Sequence, residues 1–177
     1  MEIPLAAALI SFVVTFAMAR LMLSWSPRLG LLDLPNAARK PHTTPTPFGG
    51  MAIVSGAVFG SLLLLPLNIA QVGWILGGLL MAALGLADDR FDLSAGIKLI
   101  GQALISLCPI LVMGFGIHSL DFFGVEVALG VFALPFAMLW IVGMTNAFNL
   151  IDGLDGLAVG AAAIAAGAFF VINLSSG

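Results

Sequence analysis

Residues 72–92 read Val72-Gly-Trp-Ile-Leu-Gly-Gly-Leu-Leu-Met-Ala-Ala-Leu-Gly-Leu-Ala87-Asp88-Asp89-Arg90-Phe91-Asp92. An uncharged run is followed at once by two adjacent carboxylates, which is what a membrane-crossing segment shows where it meets the headgroups. A crossing helix needs about 20 apolar residues, with about 17 the lower end, so this span is short and borrows from its flanks. Five further stretches have the same character: Pro4 to Met22, Phe48 to Pro66, Ile97 to Phe115, Val127 to Met144 and Leu157 to Leu174. The expected fold is all-α: a polytopic integral membrane helical bundle of about six transmembrane helices, with residues 1–177 as a single transmembrane domain.

Composition leads to the same class. The chain is 61% hydrophobic and 8% charged, with a mean hydropathy of +1.17, whereas soluble domains carry about a quarter charged residues. Six Lys/Arg and nine Asp/Glu cannot cover a water-facing globule, so lipid must meet the rest. A net charge of -3, with no basic run longer than Arg39-Lys40, excludes counterion-release binding to nucleic acid. The single cysteine, Cys108, forbids an internal disulfide or a cysteine-based zinc site and reads as a small buried hydrophobe. The opening Met-Glu-Ile-Pro lacks the basic region and cleavage site of a signal peptide, so the first stretch reads as a retained span.

All six positive charges fall on one side. Arg20, Arg28, Arg39 and Lys40 lie between or at the edges of the first two spans, and Arg90 and Lys98 between the third and fourth. The positive-inside rule makes that side cytoplasmic and puts both termini outside. Asp33, Asp88, Asp89, Asp92, Asp152 and Asp155 then face the cytoplasm, while Glu2, Asp121 and Glu126 do not. One membrane face therefore carries the polar chemistry, and the external stretch Gly116 to Val125 reads as a simple connector. Gly160 and Gly167, with alanines between them, offer a small-residue face for helix packing.

Three clusters stand on the cytoplasmic face. The first loop runs Asp33-Leu-Pro-Asn36-Ala-Ala-Arg39-Lys40-Pro-His42-Thr-Thr-Pro-Thr-Pro47-Phe-Gly-Gly50. Its prolines forbid a helix. A solvated loop that merely sets topology would explain Arg39 and Lys40. A phosphate-binding loop explains His42 and the double glycine as well, since two cations and an imidazole beside a membrane suit a pyrophosphate. At the second cluster, Asp88-Asp89, adjacent carboxylates repel and need a partner: Arg90 and water are the simple candidates. The sharper one is Mg²⁺, which takes one or two carboxylates together with substrate phosphates.

The third cluster, Asn146-Ala-Phe-Asn149-Leu-Ile-Asp152-Gly153-Leu-Asp155-Gly156, repeats an amide or carboxylate every three residues. On a helical turn each neighbours the next, giving an oxygen-rich ridge, and Gly153 and Gly156 let the backbone leave the helix. A helix cap would account for one or two of these four residues. Neither an EF-hand nor a Walker phosphate loop fits the order of residues.

Taken together, Asp33-x-Pro-Asn-x-x-Arg-Lys-x-His, Pro-x-Gly-Gly, Asp88-Asp89-Arg-Phe-Asp and Asn-Ala-Phe-Asn-Leu-Ile-Asp-Gly-Leu-Asp-Gly-Leu resemble the polyprenyl-phosphate N-acetylhexosamine-1-phosphate transferase family. The form of the first loop is similar to the undecaprenyl-phosphate N-acetylglucosamine-1-phosphate branch, which initiates O-antigen, enterobacterial common antigen or teichoic acid. The resemblance implies a multi-pass enzyme of the bacterial plasma membrane, active at its cytoplasmic face. It would transfer a sugar 1-phosphate from a UDP-sugar to undecaprenyl phosphate, release UMP and use Mg²⁺, with Mn²⁺ as the alternative. It assigns Asp88, Asp89, Asp152 and Asp155 to catalysis, with Asp88, Asp89 and Asp152 at the metal. Substrate contacts would come from Asn36, Arg39, Lys40, His42, Asn146 and Asn149. The family's later Gly-Asp-x-Gly-Ser and histidine-rich motifs do not occur here, which implies the N-terminal half of a longer transferase, inactive alone. A noncatalytic subunit that binds lipid phosphate is the alternative, a transporter is disfavoured by the one-sided acids, and a homodimer stays open.

Overall fold

The computed structural model describes residues 2–29, 32–33, 46–47, 49–64, 67–114, 116–152 and 156–176. They form two units, residues 2–114 and residues 115–177. The first unit holds α1 (Glu2–Leu29), a two-residue ladder of β1 (Leu32–Asp33) and β2 (Thr46–Pro47), α2 (Gly50–Leu64), α3 (Ile69–Phe91) and α4 (Ala95–Met113). The second holds a hairpin of β3 (Ser119–Phe122) and β4 (Val125–Ala128), a 3-10 turn at Gly130–Phe132, α5 (Ala133–Ile151) and α6 (Leu157–Ser176).

Among the described residues six α-helices match the six apolar stretches, and the chain is an all-α, polytopic integral membrane protein. Four segments among the described residues are long and apolar enough to cross a bilayer: Leu5–Trp25, Ile69–Phe91, Ala95–Val112 and Gly130–Ile151. The apolar parts of α2 and α6, Gly50–Leu63 and Leu157–Ile172, are shorter. The third span borrows from both flanks, as its length requires: Asn68 caps α3 by accepting from the Gln71 N–H at 2.9 Å, and the helix continues to Phe91. The fifth differs from expectation. Residues 127–132 finish the hairpin and its 3-10 turn, and α5 starts at Ala133 and runs to Ile151, which carries the helix through Asn146 and Asn149.

Burial is inverted relative to a soluble protein. Phe12, Ile69, Leu104, Leu111, Leu139 and Ile164 are exposed, while the buried apolar side chains among the described residues include Ala52, Ile110 and Ala137. Lipid solvates large side chains as well as a core does, so helix contacts select small residues that let backbones approach. The α1–α2 contact shows this. Ala52, Gly56 and Gly60 recur every four residues on α2, and all three are buried. A Cβ built on Gly56 would overlap the Thr15 hydroxyl and lie 2.5 Å from the Ser11 carbonyl oxygen; one on Gly60 would overlap the Ser11 hydroxyl and lie 3.1 Å from the Ala7 oxygen. The close approach thus sits at Gly56 and Gly60. Among the described residues nothing lies within 4 Å of a Cβ on Gly160 or Gly167, so the small-residue face expected on α6 meets no neighbour there.

The helices α3 and α4 pack antiparallel in the same manner. Gly73 and Gly77 are buried on α3; the Pro109 ring meets Gly77, with Cδ 3.3 Å from a Cβ built there, and Leu84 meets Gly101. Cys108 is half-buried, its Sγ 4.0 Å from the Gly73 carbonyl oxygen, in keeping with a packing role.

Candidate functional site

The acidic end of α3 is built by a tight helix reversal. Asp92 adopts the left-handed conformation (φ 50°, ψ 59°), and its N–H donates to the Asp88 carbonyl at 2.9 Å, ending the helix. Short polar side chains tolerate that conformation better than most. Two residues later Ser94 caps α4, its hydroxyl accepting from the Ile97 N–H at 3.5 Å. Reversal over so few residues brings the first turn of α4 beside the last turns of α3.

The consequence is an ion pair: Lys98 Nζ donates to Asp88 Oδ2 at 2.7 Å, with the side chains 21% and 23% exposed. Such partial exposure makes its net stabilisation modest. Both partners stand at unfavourable helix ends, because a C-terminus repels carboxylates and an N-terminus repels ammonium groups, by about 0.3–1 kcal/mol each. Stability alone would not select this arrangement. Asp89 and Arg90 follow, both exposed. The partner found for Asp88 is Lys98, not the neighbouring Arg90 offered by the sequence. From sequence alone, Lys98 marks only the cytoplasmic side. The signal that could have found it is the pair of helix stop and start residues, Asp92 and Ser94, which places a residue ten positions on beside Asp88.

In the second unit, α5 carries the amide ridge. The Asn146 amide donates to the Val142 carbonyl at 2.8 Å, and Thr145 Oγ1 to the Ile141 carbonyl at 2.8 Å. Asn146 is half-buried, whereas Asn149 one turn on is exposed. Asp152 is the C-cap, exposed, its N–H donating to the Phe148 carbonyl at 3.1 Å. Asn146, Asn149 and Asp152 thus follow one edge of the helix and its cap. Gly156 has φ 79°, the left-handed geometry that turns the chain into α6. Asp155 and Gly153 lie outside the described residues.

Asn36, Arg39, Lys40 and His42 also lie outside them. The segment's two ends are nevertheless joined, since β1 and β2 pair antiparallel with Asp33 opposite Thr46 and Leu32 opposite Pro47.

The donor set at α3 is chemically suited to Mg²⁺. Two adjacent carboxylates supply hard oxygens, and Mg²⁺ takes the remainder of its shell from water and phosphate. Among the described residues no three His, Cys, Asp or Glu side chains form a group able to hold a metal.

Comparison with known proteins gives the family. The family model described as Glycosyl transferase family 4 matches residues 71–177. A Bacillus subtilis (strain 168) protein named "Probable undecaprenyl-phosphate N-acetylglucosaminyl 1-phosphate transferase" is 38% identical over 157 residues, covering 85% of this chain and 42% of the relative. An undecaprenyl-phosphate alpha-N-acetylglucosaminyl 1-phosphate transferase of Yersinia pestis is 34% identical over 159 residues, with the same coverage of 85% and 42%. A phospho-N-acetylmuramoyl-pentapeptide-transferase of Orientia tsutsugamushi (strain Ikeda) is 32% identical over 174 residues, 85% of this chain and 48% of the relative. The chain therefore spans less than half the length of these relatives. No solved structure matches it. With the family model covering more than half of its residues, the chain belongs to glycosyl transferase family 4.

Proposed function

We propose that this chain is part of a bacterial inner-membrane enzyme that transfers N-acetylglucosamine 1-phosphate from its UDP-sugar to undecaprenyl phosphate. The transfer would release UMP at the cytoplasmic face and leave a lipid-linked sugar that initiates a cell-envelope polysaccharide. The observation that carries the reading is the end of α3, where Asp88 and Asp89 stand at an unfavourable helix terminus and Lys98 holds Asp88. The names of the relatives support the chemistry. The 38% identity belongs to a protein named for N-acetylglucosamine, against 32% and 34% for two phospho-N-acetylmuramoyl-pentapeptide-transferases, which favours that sugar over N-acetylmuramoyl-pentapeptide.

The reaction balances simply. A phosphate oxygen of the lipid attacks the β-phosphorus in line, the new P–O bond forms, and the bond to the UMP oxygen breaks. Asp88 and Asp89 would hold Mg²⁺, which when bound neutralises charge on the pyrophosphate. Lys98 fixes the Asp88 carboxylate, Asn36, Arg39, Lys40 and His42 contact phosphate, and Asn146, Asn149, Asp152 and Asp155 order the nucleotide. No general base is required for the attack. A phosphate monoester has its second pKa near 6 and is largely ionised at pH 7, so a base has little to remove.

The test uses the complete native protein in nanodiscs with undecaprenyl phosphate and UDP-N-acetylglucosamine. UMP release is expected with Mg²⁺, is lost on chelation, and returns when Mg²⁺ is restored. Asp152→Asn should lower it by about 10²-fold or more, the scale of removing one charge-stabilising group. Saturable lipid binding with no UMP under any metal would replace the transferase reading with a binding role.

A further inference from the structure

The hairpin between α4 and α5 has two chemically different faces. Residues directly opposite on an antiparallel pair project to the same side, and successive residues alternate. With Leu120 opposite Val127 and Phe122 opposite Val125, one face is wholly apolar. Ser119 opposite Ala128 and Asp121 opposite Glu126 form the other, where Ser119 Oγ donates to Glu126 Oε1 at 2.6 Å. Two carboxylates facing each other across the strands need water, so the second face belongs in the aqueous phase.

Among the described residues, most of the apolar face is left open, with Leu120 half-buried. Phe122 is 55% exposed, Val125 64% and Val127 45%. At the tip, Phe123 has φ 53° and Gly124 φ 86°, the paired positive φ values of a type I′ turn, in which Asn-Gly is preferred. Asp121 Oδ1 closes the turn by accepting from the Gly124 N–H at 2.8 Å. Phe123 thus holds a costly backbone conformation while its ring is fully exposed. Nothing within the described chain offsets that cost.

Continuity with the lipid-facing surface identifies what does. The Leu129 N–H donates to the His118 carbonyl at 2.8 Å and closes the base of the hairpin. From there exposed apolar residues continue without a break in chemistry through Val131 and Phe132 to Leu134, Leu139 and Trp140 on α5, a membrane-crossing segment. An isolated two-stranded hairpin is marginal in water. Laid at the bilayer boundary, its apolar face is solvated by acyl chains and its acidic face by water, as in interfacial amphipathic elements that sink about 5–10 Å. We propose that β3–β4 is an interfacial anchor whose occupant is the zwitterionic lipid surface, with Phe122 and Phe123 inserted beneath the headgroups and Asp121 and Glu126 in water. The acidic face argues against anionic lipid as the preferred surface. The anchor is independent of the reaction proposed above.

The test is depth measurement by spin label in phosphatidylcholine–phosphatidylethanolamine vesicles, using the full chain with Cys108→Ala as background. Labels are placed singly through Phe123→Cys, Val125→Cys and Glu126→Cys. Labels at 123 and 125 are expected to collide several-fold more often with oxygen, relative to a water-soluble nickel chelate, than the label at 126. Adding Phe123→Asn, which suits the turn, should move the label at 125 toward water while the hairpin persists. Equal water access at 123 and 126 would overturn the proposal. So would a label at 123 shielded from both quenchers, which would indicate a protein partner or a second copy.

Discussion

Asp88→Asn is expected to abolish UMP release by the complete protein, a loss of at least about 10²–10³-fold, the range for removing a preorganised charge-stabilising group. A structural reading of the same residue makes a different forecast. If Asp88 serves only to hold Lys98 at 2.7 Å, the reversed pair Asp88→Lys with Lys98→Asp keeps the attraction and should keep the activity. Under the proposed role it should not, because an ammonium cannot donate oxygens to a divalent cation. Transfer assays on the single and reversed variants, with thermal unfolding in detergent as a check on folding, separate the two. Recovered turnover in the reversed pair would remove Asp88 from the chemistry.

Gly56→Ala is expected to loosen the α1–α2 contact by about 1–3 kcal/mol, the usual cost of overpacking. Its Cβ would lie 2.5 Å from the Ser11 carbonyl oxygen. Backbone cannot swing aside, so α1 itself must move. Gly60→Ala meets chiefly the Ser11 hydroxyl, with the Ala7 carbonyl oxygen at 3.1 Å, and a hydroxyl can rotate. The second substitution should therefore cost less, and Ser11→Ala should rescue it while Thr15→Ala only partly rescues Gly56→Ala. Unfolding of the four variants in bicelles against urea or dodecyl sulfate checks the order. Equal costs at both glycines would show that the two helices do not approach as closely as the structure has them.

The proportion of this molecule legible from sequence follows the physics of its solvent. Hydropathy is a one-dimensional property, and a bilayer demands about 20 apolar residues per crossing. Six helices and their polar ends could therefore be read directly, including α3 with Asp88 and Asp89 at its exit. Oxygen-bearing residues spaced by three announced the edge of α5 that carries Asn146 and Asn149. The motif order supplied the family. Residues 36 to 42 and Asp155 rest on sequence and resemblance alone.

Tertiary structure decided what depends on helix rotation and on turns. Hydropathy is blind to rotation about a helix axis when every face is apolar, so it could not choose Gly56 and Gly60 over Gly160 and Gly167 as points of close approach. Nor could it pair Lys98 with Asp88, since that depends on the left-handed Asp92 reversing the chain within a few residues. The segment read as a plain connector pairs Leu120 with Val127 and Asp121 with Glu126. Its two faces exist only once the turn at Phe123 and Gly124 fixes the register, because a slip of one residue would exchange the apolar and acidic sides.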